Sequence, residues 1–522
     1  MSAKRDRGAW LDNLVETGDW AQIRRLRKGF CPKQGRLKDS NGKVVSSEDR
    51  AQTMADYLQS VQWAVRPVIA SPDRAPLGPT LNVQTGNVQA WEVKRAAKGM
   101  KNNRASGDDT IPSKFWGAVL AEEGPAATWL VEFCQKCWST KQVPEEWHLA
   151  RIATIFKKGD PVDCANYRPI SLLNVACKLF ASILLRRLRD AGADARLWPT
   201  QFGLKQACGT DEALLIARRY IEKAWASKEG SCLMLALDWA KAFDSIDPQG
   251  LIRALRRFGL PEGFIDMVQA IYTSRRFRVQ DCGCSSQSCH QKNGICQRCP
   301  LSPFLFVIVM TVLMTDAKEA VRLNLEPAEF NESSDLLYAD DTLLLAIKGP
   351  AMEVYLAAVA QAGAEYGLSL HLGKTQLLRV KSNEAVHKNT GEAFVPRDSM
   401  VYLGGLLAGD GKPEQELSFR IGLATADFKA LSRVWSHSVL SRSRKLHIFH
   451  ACVVSVLFYG LKTVWLSAVS RRRLDGFYAR CLRKILRIPA SYYSRVRLFW
   501  TEQTANSSVS SYLHSNSVIL AS

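Results

Sequence analysis

The sequence predicts an α+β fold, and three observations point to it. Residues 335–347 read DLLYADDTLLLAI, two short apolar bursts around Tyr338, Ala339, Asp340 and Asp341, with the length and composition of a buried β-hairpin. Residues 232–237 are an unbroken apolar run of strand length. Longer patterns at 304–314 and 360–370 read as helices, the first of them buried on all sides.

Two adjacent carboxylates at the tip of a buried hairpin are costly to desolvate unless a cation sits on them, and a divalent metal is the natural counter-ion. Alone, the pair would read as an ordinary turn. Asp238 changes that reading, because it closes the run 232–237 and an aspartate at the C-terminal end of a buried strand projects into a cleft. Once the strands pair, Asp238, Asp340 and Asp341 are the ligand set for two Mg²⁺ ions about 3.5 to 4 Å apart, with Mn²⁺ as an alternative, an arrangement that serves in-line phosphoryl transfer.

At 522 residues the chain has room for several domains with well-buried cores. Seventy Lys and Arg against fifty Asp and Glu leave a net charge of +20, which points to an anionic partner, nucleic acid before an acidic membrane surface. The excess is concentrated: 420–497 holds sixteen basic and two acidic residues, so 16 − 2 = 14 of the twenty charges lie there. Fourteen cysteines without a repeating framework, and an opening MSAKRDRG with no apolar core after it, predict reduced thiols and an intracellular protein, nuclear or cytoplasmic. The longest uncharged apolar stretch, 446–461, falls short of the roughly twenty residues of a bilayer span, so no membrane segment is expected.

Residues 1–90 carry no recognisable chemistry. Trp10, Leu11, Leu14 and Val15 suggest one amphipathic helix and Met54, Leu58 and Val61 another, before Pro67, Pro72, Pro76 and Pro79 break the chain into a linker. Helical patterns follow over 91–100 and again up to Trp138, with the polar turn NNRASGDD at 102–109 between them. Next, 148–158 alternates as a half-buried strand and ends in Lys157 and Lys158, and the turn 159–161 leads to NYRPISLL at 166–173. Lys157 or Lys158 with Arg168 suits a phosphate clamp, Arg giving a bidentate fork and Lys a point charge, although solvated surface charge explains the pattern equally well. The loop QFGLKQACGT at 201–210 precedes a helix near Asp211. Cys282, Cys284, Cys289, His290, Cys296 and Cys299 lack the paired CxxC spacing of a closed zinc site and read as a reduced, Cys-rich loop. Lys374 follows a turn at Gly373, and 402–407, YLGGLL, reads as a short strand.

Eight of these motifs stand in one order: SGDDTIP, IFKKGD with NYRPISLL, QFGLKQACGT, LALDWAKAFDSID, GICQRCPLSP, LLYADDTLLL, GLSLHLGKT and YLGGLLAGDG. Together they resemble the reverse transcriptase of a non-LTR (LINE-like) retrotransposon over about residues 90–450. The resemblance implies a right-hand polymerase fold of fingers, palm with an antiparallel sheet, and thumb. Its catalytic residues would be Asp238, Asp340 and Asp341, which with the backbone carbonyl of Trp239 bind the metals, and Lys374, a general acid toward the leaving pyrophosphate. Lys157 or Lys158 and Arg168 resemble residues that grip the triphosphate. Phe243 falls where an aromatic ring excludes a ribose 2′-OH, and Gln297 where a residue lies near the sugar. The implied partners are an RNA template, a DNA primer and dNTP.

The expected organisation is a helical extension and linker over 1–90, fingers and palm over 91–405, a basic helical thumb over 406–500, and a Ser-rich disordered tail over 501–522. The chain departs from the family at Arg298, where glycine is usual, and shows neither the endonuclease nor the RNase H that related elements can carry. Two readings therefore stand: an RNA-directed DNA polymerase, and a catalytically inactive nucleic-acid-binding remnant.

Overall fold

A computed structural model describes residues 36–102, 105–122, 124–281, 283–437 and 440–488. The helix expected around Trp10–Val15 and the Ser-rich tail lie outside them. Twelve strands among the described residues form three sheets: β1 Leu149–Phe156, β2 Tyr167–Leu172, β3 Cys232–Leu237, β4 Arg276–Asp281, β5 Cys284–Ser285, β6 Cys289–His290, β7 Ser334–Tyr338, β8 Asp341–Ala346, β9 Gln376–Val380, β10 Pro396–Arg397, β11 Ser399–Tyr402 and β12 Gly405–Ala408.

The central sheet runs β10-β9-β3-β8-β7, with β3 antiparallel to both β8 and β9. Strand β3, at its centre, is apolar throughout because both of its faces are covered. Leu233, Leu235 and Leu237 of β3, with Leu337, Leu344 and Ala346, join the largest core. Cys232 and Met234, with Leu336, Leu343 and Leu345, face the other way, against Ala213, Leu214, Ala217 and Ile221 of the helix Thr210–Ala226. Alternate residues thus serve alternate cores, the two-residue period of a strand. Within the largest core lies the helix Ser302–Asn324, with Phe304 to Met314 all buried as the sequence predicts.

The second sheet holds the antiparallel pair β1–β2, with β4 parallel to β1. Ala150 and Ile152 are buried, whereas Phe156 is exposed and packs edge-on against Tyr167, so the alternation in this strand fades toward the Lys157 turn. Two expectations are corrected. The 360–370 helix is the end of a longer one, Gly349–Ala364, which stops before Gly367 at φ 81°. YLGGLL is not one strand but the β11–β12 hairpin, turned by Leu403 and Gly404, both at positive φ.

C-terminal to it, helices from Pro413–Ala430 to Ala468–Leu486 build a separate core around Leu417, Phe428, Trp435, Phe449, Leu474 and Phe477. The helical run Arg442–Thr463 is long and apolar enough to cross a membrane by length and composition, more than the 446–461 stretch suggested, but Ile448, Phe449, Cys452, Val453 and Leu457 are buried in this core.

The hairpin β7–β8 is anchored by a buried carboxylate. Asp335 accepts hydrogen bonds from Trp198 Nε1 at 2.6 Å, Tyr355 Oη at 2.5 Å and the Thr200 hydroxyl. A hydrogen bond to a charged group contributes about 1.5–3 kcal/mol, so Tyr355→Phe is expected to destabilise the chain by that order, read as a lower urea midpoint at unchanged slope.

Candidate active site

Strand register brings the three aspartates together. Leu237 of β3 pairs with Thr342 of β8, which places Asp238, the next residue, beside Asp341 on the face continued by Met234 and Leu343. Tyr338 pairs with Asp341, leaving Ala339 and Asp340 as a two-residue hairpin turn, with Ala339 in the left-handed region at φ 56°. Asp238 and Asp340 are 340 − 238 = 102 residues apart in sequence yet close enough to repel one another.

Burial and this crowding raise the pKa values of Asp340 and Asp341. Burial, then Asp340, then Asp238 push the Asp341 carboxyl up to about 6, although solvent reaches it at the cleft mouth. Burial and Asp238 raise Asp340, partly offset by Arg168. Carboxylate oxygens clustered against their own repulsion suit a hard divalent cation. Among the described residues, however, no group of three or more acidic, His or Cys side chains is already arranged to hold an ion. Lys374 Nζ instead lies 3.2 Å from Asp238 Oδ2, a lysine ammonium occupying one of the carboxylates. The Trp239 carbonyl suits the same cluster: Asp238 O and Ala240 N bond His371 N and Ser369 O, so the intervening carbonyl points to the opposite edge of the strand, toward β8.

A cationic arc faces the acids. Lys157 and Arg168 sit at the end of the β1–β2 hairpin, and burial, Arg168 and Lys374 together lower the Lys157 pKa. Lys158, the next residue, is exposed like Lys157 at the same turn. Lys241 is likewise lowered, by burial and then by Arg66. Phe243 stacks on Phe306, with ring centroids 4.5 Å apart, and Gln297 donates to Asp244 Oδ2 at 2.9 Å. The cysteine loop holds no metal cluster among the described residues; Cys289, Cys296 and Cys299 are buried, and Cys296 Sγ accepts from Arg275 at 2.9 Å.

Arg298 is exposed, with φ 72°. This position demands a left-handed backbone, which is a conformational reason for glycine there; the arginine adopts it at a cost of roughly 1 kcal/mol while its side chain points outward to solvent.

Sequence reading missed Gln201. It is 1 % exposed, and its Oε1 accepts from both Gly203 N and Ala339 N at 2.8 Å, fixing the turn that carries Asp340. A Cβ on Gly203 would come within 2.2 Å of Ala339 N, so this glycine serves close approach rather than an unusual φ. The signal was the QFG motif itself, a polar residue beside glycine just ahead of a helix.

Comparisons with known proteins point to one family. The family model for reverse transcriptase (RNA-dependent DNA polymerase) matches residues 155–406, a span that includes all three aspartates, Phe243, Gln297 and Lys374. Residues 155–406 are thus similar to the reverse transcriptase family. The chain is 27% identical over 425 residues to the "Retrovirus-related Pol polyprotein from type-1 retrotransposable element R2" of Popillia japonica, covering 78% of this chain and 56% of that protein. It is 24% identical over 532 residues to the "RNA-directed DNA polymerase from mobile element jockey" of Drosophila funebris, covering 94% and 55%. A "Probable RNA-directed DNA polymerase from transposon BS" of Drosophila melanogaster is also 24% identical, covering 78% and 45%. The resemblance to non-LTR retrotransposon reverse transcriptases is borne out, and the chain spans about half the length of these relatives. A reverse transcriptase domain implies dependence on a divalent metal.

The raised Asp341 carboxyl has a signed consequence. Its folded value, about 6, exceeds the ordinary 3.8, so the folded state loses stability as pH rises through that window. Asp341→Asn should therefore raise the melting temperature of the metal-free protein at pH 7.5 and leave it unchanged at pH 4; equal shifts at both values would mean the effect is not electrostatic.

Proposed function

We propose that this chain is an RNA-directed DNA polymerase that extends a primer 3′-hydroxyl with dNTP along an RNA template, inside the nucleus or cytoplasm. The observation that carries the reading is the β3–β8 register, which sets Asp238 beside Asp340 and Asp341 and opposite the cations Lys157, Arg168 and Lys374. In this reading the sheet β10-β9-β3-β8-β7 is the palm, the β1–β2–β4 sheet belongs to the fingers, and the basic helices beyond residue 406 are the thumb. Residues 91–405 would then be fingers and palm, preceded by an extension over 1–90.

Asp238, Asp340 and Asp341, with the Trp239 carbonyl, would hold divalent cations, Mg²⁺ or Mn²⁺, which when bound polarise the attacking hydroxyl and neutralise phosphate charge. Lys157 and Arg168 bind the triphosphate, Arg168 through its planar fork. Phe243 meets the sugar edge where a 2′-hydroxyl would clash, and Gln297 orients the sugar. Lys374 carries a proton at Nζ and delivers it to the departing pyrophosphate once its place on Asp238 is taken.

The decisive test is primer extension on an RNA template by the purified full chain. Wild type should incorporate dNTP in the presence of Mg²⁺ or Mn²⁺, and Asp340→Asn should fall to background while still binding template–primer. A wild-type protein that binds nucleic acid without extending a primer would overturn the reading in favour of a binding remnant.

The proposed thumb has its own test. Arg473, Arg480 and Lys484 are exposed at helical spacing on Ala468–Leu486. Each phosphate neutralised adds about 0.9 to the slope of log affinity against log salt, so replacing all three with Gln should flatten that slope by up to about 2.7. Weaker binding at an unchanged slope would place the nucleic acid elsewhere.

A further inference from the structure

The segment leading to Arg66, silent in the sequence, reaches the nucleotide side of the site. Asp244 directly follows Phe243 and is 4 % exposed. Its Oδ1 accepts from Trp63 Nε1 at 2.9 Å, and its Oδ2 accepts from both Gln62 Nε2 at 2.7 Å and Gln297 Nε2 at 2.9 Å. One carboxylate oxygen is therefore shared between residue 62 and the side chain expected beside the sugar. Arg66 Nη1 donates to the Ser245 hydroxyl, which itself donates to Ala240 O at 2.7 Å. Lys241 Nζ lies 5.4 Å from the Tyr57 ring centre.

The loops on either side of this carboxylate are coupled. Ile295 N donates to Phe243 O and Gly294 N to Ile246 O, both at 2.8 Å, and a Cβ on Gly294 would come within 2.7 Å of Asp244 Cα. Residues 243–246 and 294–297 are thereby held closely against each other. Burying a carboxylate is costly, and burial does raise the Asp244 pKa against the opposing pull of its three donors. An apolar brace would serve stability alone at lower cost; a fully bonded buried carboxylate adds orientation.

We propose that Gln62, Trp63 and Arg66 are positioning residues for nucleotide selection, setting through Asp244 and Ser245 where Phe243 and Gln297 meet the sugar of the incoming nucleotide. The inference rests on the polymerase reading above.

The test uses the full chain with Gln62→Met, which keeps length but loses the donor, and Trp63→Phe, which removes the indole N–H but retains a ring against Phe277, with centroids 4.6 Å apart in the parent. Phe243→Val is the control for a lost sugar gate. Losing one hydrogen bond to a buried charge predicts about a tenfold rise in KM for dNTP in each variant, a smaller change in kcat, and a similar loss of preference for dNTP over rNTP. Amide exchange should quicken over 241–246 and 294–297. If KM and the dNTP/rNTP ratio stay at wild-type values while only the melting temperature falls, the contacts are a structural brace and the inference is overturned. A wild-type chain that does not extend primers takes down the polymerase reading and this inference with it, an outcome distinct from the first.

Discussion

Mutual repulsion of carboxylates is the constraint around which this molecule is built. Asp238, Asp340 and Asp341 sit together, and burial first, then the neighbouring carboxylates, push Asp341 up to about 6. Backbone pairing holds them there: β3 is flanked by β8 and β9, both of its faces are buried, and a one-residue slip would turn every core side chain of β3 to the wrong face. Gln201 and Asp335 then hold the hairpin from opposite ends, one at its turn and one at its base. Free energy from apolar burial in two cores thus offsets a local electrostatic cost, which a bound cation would relieve.

The cations around the acids follow a complementary logic. Burial first, and then the neighbouring cations Arg168 and Lys374 for Lys157 and Arg66 and Lys157 for Lys241, make both lysines hold their protons less tightly than usual. Among the described residues Lys374 bridges the two clusters, through a partly exposed pair with Asp238 of the kind that contributes little stability. Both signs of charge remain available to a ligand that carries phosphates and metal together.

Much of this was legible in the sequence. Strands β3, β7 and β8 announced themselves as short apolar runs, and the aspartates stood out because charge at the end of such a run has few structural explanations. The YLGG hairpin was not legible, because four apolar residues and two glycines carry no alternation; its turn depends on positive φ at Leu403 and Gly404. The reason for glycine at position 298 was also hidden, since sequence does not report backbone angles, and φ 72° does. Least legible was the role of Gln62, Trp63 and Arg66: a contact spanning 182 residues leaves no local pattern, and a glutamine beside a tryptophan reads as an ordinary helix end.

The strand order also bears on how the chain is made. β3 ends at Leu237, whereas its neighbours begin at Asp341 and Gln376, so 341 − 237 = 104 positions separate it from the first of them. During synthesis from the N-terminus, an apolar ribbon with two unsatisfied edges emerges long before either partner exists, the arrangement most exposed to wrong pairing. The helix Thr210–Ala226, made just before it, can shield one face at once, but the edges must wait. Until residue 380 has left the ribosome, β3 therefore lacks at least one of its ladder partners, and its edges are the part of the nascent chain most open to wrong pairing.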